Sequence, residues 1–207
     1  MASFNAFISH ITSAEGGYQK IASDPGNYNS RGELVGTNHG ISAKTFERVY
    51  GYPPSKQDML NITETEALNI FKRLYWNKIK GDYINSQAVA ETFADHAINS
   101  GVGTAVKLMQ YALQALGYNV TADGIMGNQT LNAINSADAG KLFREYNDRR
   151  RIYYSGLKNF SRWGRIWFNR IRDLERKHLP FLYKHNGFVV LFFLLFGLTL
   201  FFIKYKR

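Results

Sequence analysis

"SAEGGYQKIASDPGNYNSRGELVGTNHGIS", residues 13–42, sets a glutamate against two glycines and then runs through a long series of turn residues. Upstream of it, Phe4, Phe7, Ile8 and Ile11 recur at three- and four-residue spacing, which predicts an amphipathic helix over about 3–14. Gly16 fits the left-handed position that commonly closes such a helix. Glu15 therefore stands at a helix C-terminus, where the partial negative charge of the backbone disfavours a carboxylate. A residue placed against that preference needs another reason to be there. Downstream, Asp24-Pro25-Gly26, Asn27, Asn29, Gly32 and Gly36 surround the short alternation "ELVGT", and the stretch to Gly40 reads as a small β-hairpin.

Beyond the hairpin the pattern is helical. Ser42 can cap "AKTFERVYG", and Pro53-Pro54 breaks the chain. Thr63 and Glu66 have the spacing of a capping box for "ETEALNIFKRLYWNKI". Ser86 opens "QAVAETFADHAINSG", in which Val89, Phe93 and Ala97 share an apolar face. "TAVKLMQYALQALG", a turn-rich "TADGIMGNQT", a short helix over about 128–134 and the longer "DAGKLFREYNDRRRIYYSGL" follow. No internal repeat or low-complexity linker separates these pieces, so the fold class is mainly α with one hairpin. "RWGRIWFNRIRDLERKHLPFLY", residues 162–183, is basic and aromatic and admits two readings. Trp163 and Trp167 sit at a membrane interface, or the aromatics complete the core and the arginines are solvated.

The chain has no cysteine, so thiolate metal sites and cysteine nucleophiles are excluded. A net charge of +10 predicts attraction to polyanions without choosing among nucleic acid, anionic lipid and cell-wall polymer. The first residues lack the pattern of a secretory signal. "GFVVLFFLLFGLTLFFI", Gly187 to Ile203, carries no charge and is followed by the basic tail "KYKR", 204–207. As a helix it would span roughly 26 Å against a bilayer core of about 30 Å, and it reads as a C-terminal transmembrane helix. The alternative is a buried core helix, which is seldom so rich in Phe and Leu around its whole circumference.

For chemistry the opening stretch offers Glu15, Asp24, Thr37, Asn38 and His39. A carboxyl in a cleft between a helix end and a hairpin is partly desolvated, which raises its pKa and lets it donate a proton. A second, better hydrated carboxylate can orient water, and an acid and a base flanking one bond suffice for glycoside hydrolysis. The plain alternative is a surface glutamate at a frayed helix end. No G-x-S-x-G elbow, phosphate loop or H-E-x-x-H pair is present. His96 beside Asp95 reads as a cleft or core histidine rather than a zinc ligand, and neither metal nor cofactor is called for.

"EGGY" closing the first helix, then "DP", then a glycine-rich hairpin ending "GTNHGIS", resembles glycoside hydrolase family 108, the N-acetylmuramidases of lysozyme-like fold. "NSGVGTAVKLMQYALQALG" and "DGIMGNQTLNAI" are similar to the peptidoglycan-binding segment that accompanies that family, and "RRRIYYSGL" with "FSRWGRIW" fits its usual ending. The resemblance covers about residues 3–170. It implies a lysozyme-like catalytic half over 1–92, packed as one unit with a peptidoglycan-binding half over 93–180. It implies cleavage of the β-1,4 bond between N-acetylmuramic acid and N-acetylglucosamine. Glu15 matches the catalytic glutamate, Asp24 the aspartate of the Asp-Pro pair and Thr37 the hairpin threonine. Tyr18, His39, Trp76, His96 and Asn99 are the candidate sugar contacts. This chain departs from the pattern by the extra "QKIAS" between Tyr18 and Asp24 and by a longer hairpin, "GNYNSRGELVG".

The expected partners are bacterial peptidoglycan and, through Gly187 to Ile203, a lipid membrane, with no specific nucleic acid. The expected setting is a phage lysozyme acting in lysis or host-cell invasion, anchored in a host inner membrane or a virion membrane. Arg170, Arg172, Arg176, Lys177 and Lys184 precede the apolar segment, against Lys204, Lys206 and Arg207 after it, a bias toward a cytoplasmic main domain. The competing reading is a catalytically idle, membrane-anchored scaffold of muramidase fold, since fold does not imply activity.

Overall fold

The structure is a computed structural model, and it describes residues 1–8 and 17–182. Residues 4–8 are helical (α1), and Phe4 and Phe7 close on the indole of Trp76, with ring centroids 5.6 and 5.8 Å away. A 3₁₀ turn, Pro25–Asn27, precedes the hairpin of β1 (Thr37–Asn38) and β2 (Ile41–Ser42). The strands are antiparallel, Thr37 facing Ser42 and Asn38 facing Ile41. His39 and Gly40, at φ 45° and 75°, form the turn, and two left-handed residues in a row give the twist a two-residue hairpin needs.

The hairpin thus turns just after the "ELVGT" alternation rather than around it. The amides of Val35 and Gly36 both donate to the Asn27 carbonyl, at 2.9 and 3.0 Å. Leu34 bridges Tyr28 and Thr37 pairs with Gln19, so this stretch meets several short partners instead of one strand.

The helices are α2 (Ala43–Tyr50), α3 (Lys56–Asn61), α4 (Glu64–Phe71), α5 (Gln87–Ser100), α6 (Val102–Ala115), α7 (Asn128–Ser136), α8 (Ala139–Ser155) and α9 (Phe160–Leu182). α4 runs on into a π turn, Lys72–Trp76. Ser42 caps α2 by accepting the Thr45 amide at 3.2 Å, and Gly51, at φ 81°, closes it. The capping box falls one helix earlier than expected. Ser55 and Asp58 satisfy each other at the start of α3, whereas Glu66 turns away from Thr63 to accept the Tyr50 hydroxyl.

α5 is the axis of the molecule. Every residue from Ala88 to Ala97 is buried, because α6, α8 and α9 cover the helix around its whole circumference. Two carboxylates one turn apart go into that interior with it. Asp95 pairs with Arg150 of α8 and, at 2.6 Å, with Arg170 of α9. Glu91 takes Lys177 at 2.9 Å, His178 at 2.7 Å and Gln87 at 2.9 Å. Burial opposes charge on Glu91, but the hydrogen bonds from His178, Lys177 and Gln87 outweigh it and hold the carboxyl below its ordinary value.

This decides the reading of the basic, aromatic helix. Ile171, Leu174 and His178 of α9 are buried, and Trp167 stacks on Tyr154 at 4.9 Å. The α9 aromatics join the core only in part, Trp167 half-buried and Phe181 exposed, while Arg170 and the exposed Lys177 reach inward to neutralise buried carboxylates. Among the described residues no helix is long and apolar enough to cross a membrane. The apolar segment 187–203 and the basic tail lie outside the described residues.

Candidate functional site around the hairpin

Glu15, the expected acid, lies outside the described residues, so the site is built from what surrounds the hairpin. Tyr18 donates its hydroxyl to the Val35 carbonyl at 2.9 Å and lays its ring on Gly36. A Cβ at Gly36 would stand 2.6 Å from the Gln19 carbonyl and 2.7 Å from that ring, and the residue is at φ 94°. Only glycine fits this contact. Gln19 in turn exchanges two 2.8 Å backbone bonds with Thr37. Thr37 is buried, and its hydroxyl makes no bond to a described residue.

Asp24 caps the 3₁₀ turn, one carboxylate oxygen accepting the Gly26 amide at 2.8 Å. Its other oxygen has no hydrogen-bond partner among the described residues. Gly26 brings this turn against the start of α2, since a Cβ there would lie 3.2 Å from Asp24 Oδ1 and 3.5 Å from Ser42 Cβ. Ser42 is the residue that faces Thr37 across the hairpin. Asp24, Thr37, Tyr18 and His39 therefore share one neighbourhood. His39 is there as the first turn residue. Asn38 anchors the hairpin from behind, donating its amide to the Met59 carbonyl at 2.9 Å.

From Ser42 the surface continues into a groove of about 530 Å³. Lys44, Thr45 and Arg48 of α2 form one wall; Leu74 and Tyr75 of the π turn with Ile98, Gly101 and Val102 at the α5–α6 joint form the other. Asn99 is exposed beside that joint, its amide donating to the Asp95 carbonyl at 2.7 Å.

Two of the expected sugar contacts are elsewhere. Trp76 is 1 % exposed, stacked under α1, with its indole N–H donated to Asp82 at 2.8 Å. It is a core residue. His96 is fully buried on α5, its Nδ1 2.8 Å from the Tyr146 hydroxyl, with Tyr153 and Tyr154 also against its ring. Burial first, and the Arg150 cation second, hold this imidazole well below its ordinary value, so it is neutral. Neither side chain is open to a sugar, because the helices that carry them are covered on these faces by α1 and by α8. Sequence reasoning also missed Asn27, fully buried beside Asp24, whose side-chain amide has no partner among the described residues. The groove cations were missed too, and two basic residues on one short helix carry no sequence signal beyond their spacing.

The glycosyl hydrolase 108 family profile matches residues 8–101, and the profile described as a predicted peptidoglycan domain matches 104–171. The solved structure of Brucella abortus SagA is similar throughout, with a TM-score of 0.74 and 33% identity over 86% of this chain and 95% of that one. The chain belongs to glycosyl hydrolase family 108. No curated protein matches it. The family 108 segment ends and the predicted peptidoglycan domain begins near the joint between α5 and α6, where Gly101 and Val102 line the groove. This family 108 chain is a glycosyl hydrolase followed by a predicted peptidoglycan domain, and the hairpin with its aspartate belongs to the hydrolase segment.

Proposed function

We propose that the protein is a muramidase that cleaves the β-1,4 bond between N-acetylmuramic acid and N-acetylglucosamine in peptidoglycan. Glu15 protonates the glycosidic oxygen, while Asp24, with Thr37 beside it, positions the attacking water. One observation carries the reading: in a family 108 chain, the Asp24 turn and Thr37 both lie against Ser42, whose hydroxyl is 3.0 Å from that of Thr45 in the wall of a groove that runs to the α5–α6 joint. An aspartate with one oxygen pinned by a backbone amide keeps its other oxygen for a water. The setting we propose is phage lysis or host-cell invasion, with residues 187–203 holding the protein in a host inner membrane or a virion membrane.

The test is digestion of isolated peptidoglycan by the full-length protein, comparing wild type with Glu15→Gln and Asp24→Asn. New reducing muramic acid ends are expected from wild type, with a loss of at least ~10²-fold in each variant. Reducing N-acetylglucosamine ends instead would change the bond assigned, and equal activity in all three proteins would remove both carboxylates from the mechanism. The anomer first released decides between a retaining route, with carboxyls about 5 Å apart, and an inverting one, with about 6.5–9.5 Å.

A further inference from the structure

The groove beside the hairpin has a charge pattern that sugars do not explain. Lys44 and Arg48 stand one turn apart on α2, both exposed, and no residue lining the groove is acidic. Glu47, the carboxylate between them in sequence, is turned to the other side and accepts the Ser30 amide at 2.6 Å. Arg48 is fixed across the groove: it donates to the Tyr75 hydroxyl at 3.2 Å, with its guanidinium 5.9 Å from that ring's centroid. A guanidinium held by one acceptor and a ring keeps its remaining N–H groups for a planar acceptor. The facing wall is apolar, with Leu74, Ile98 and Val102.

N-acetylated sugars are uncharged, so an all-cationic groove gains nothing from a bare glycan. The wall polymer's other component, the short peptide hung on each muramic acid, carries free carboxylates on a backbone of small alkyl side chains. That is the complement of two cations facing an apolar wall. We infer that this groove receives the stem peptide of peptidoglycan, with Lys44 and Arg48 binding its carboxylates. The inference rests on the proposed muramidase reading and gives that site a preference for peptide-bearing over peptide-neutral substrate. Lys44 has no hydrogen-bond partner among the described residues, whereas Arg48 is pre-oriented by Tyr75, so Arg48 contributes the larger share.

The experiment uses the full-length protein and two forms of one wall preparation, native peptidoglycan and the same material with its peptide carboxylates converted to amides. Wild type is expected to show a KM roughly tenfold lower on the native form, with the preference shrinking as salt rises. In Lys44→Gln/Arg48→Gln the ratio between the two forms falls to about one, and Arg48→Lys alone restores part of it. A wild type that treats both forms alike, or a double variant that keeps the preference, overturns the inference. Binding of a soluble disaccharide-tetrapeptide and its amidated counterpart, measured by calorimetry, separates this from failure of the muramidase reading. A protein that cleaves neither form yet binds the native muropeptide more tightly sinks the hydrolase reading and leaves the groove assignment standing. Equal binding of the two muropeptides overturns the groove assignment whatever the cleavage result.

Discussion

Asp24 and Asp95 are the same residue type in opposite surroundings. Asp95 is fully buried, with a guanidinium from α8 on one oxygen and another from α9 on the other. Asp24 is half-buried in a turn and holds one backbone amide. The first ties together three helices whose residues lie 55 and 75 positions apart in the chain. It is therefore spent: a fully buried carboxylate clasped by two arginines is closed to a substrate or a water. The second does little for the fold and keeps an oxygen in reserve. His96 and Tyr146, both held far from their ordinary values, belong to the α5 interior and not to the hairpin. Strong electrostatics here marks the scaffold, and the candidate chemistry sits where the chain is lightly held.

The contrast is sharpest in paired substitutions. Asp95→Asn leaves two arginines in a dry interior without their counter-charge and is expected to cost about 3–5 kcal/mol. Asp24→Asn retains a side chain able to cap its turn, with a cost of about 0.5 kcal/mol or less, while removing the proposed water-positioning oxygen. Urea unfolding of both variants reads the difference. Comparable losses of stability would mean that Asp24 also belongs to the scaffold and would break the distinction.

The same division applies to glycines of similar backbone conformation. Gly36→Ala drives a methyl to 2.6 Å from the Gln19 carbonyl at φ 94°, and is expected to lose about 2–3 kcal/mol along with hairpin geometry. At Gly51, φ 81° and ψ 8°, the space for a Cβ is open, so Gly51→Ala meets only the left-handed penalty of about 1 kcal/mol. Thermal melts of the two variants check the order. Gly36→Ala should also depress hydrolysis, because the shifted strand carries Thr37.

Acid separates the buried groups from one another. His96 is neutral in the fold with a depressed pKa, so below about pH 6.5 the unfolded chain takes up a proton that the folded one refuses. Its contribution is complete above that value and is lost as pH falls. Glu91 has its folded pKa lowered from the ordinary 4.5, so its contribution is complete above that value and is lost as pH falls from there through the lower folded value. Urea midpoints measured against pH should show two successive declines. His96→Gln should flatten the upper one and leave the lower intact; an unchanged upper limb would mean that the imidazole is not shielded from protons.

Much of the frame is legible from residues alone. Ser42 and Ser86 cap where their spacing places them, and the glycine-rich stretch does end in a hairpin, because caps and turns are decided by neighbours a few residues away. What escapes notice is long-range. Val89, Phe93 and Ala97 make one face of α5 look like its only buried face, yet Glu91, Asp95 and His96 are also sealed. Their partners come from α8 and α9, and no local pattern announces that a helix is covered on every side. Trp76 lies on an apolar helix, where a tryptophan is more often core than sugar contact, and it folds as core. The groove is legible only once α2, the π turn and the α5–α6 joint are set side by side.

The smallest test concerns two sequence boxes that look alike. Ser55 with Asp58 forms a reciprocal cap: Ser55 Oγ accepts the Asp58 amide at 3.1 Å, and Asp58 Oδ2 accepts the Ser55 amide at 2.8 Å. Thr63 makes a single bond to the Glu66 amide at 3.2 Å, since Glu66 is engaged by Tyr50. Ser55→Ala should therefore cost about 1 kcal/mol and Thr63→Ala about half that. Burial of the Tyr50 phenol, reinforced by Glu66 as its hydrogen-bond acceptor, pushes its pKa up to about 12. An ultraviolet titration that finds Tyr50 ionising near 10 would show Glu66 free of it. In that case Glu66 can reach back to the Thr63 amide, the two boxes become equivalent, and the order of the two alanine variants should vanish with the Tyr50 contact.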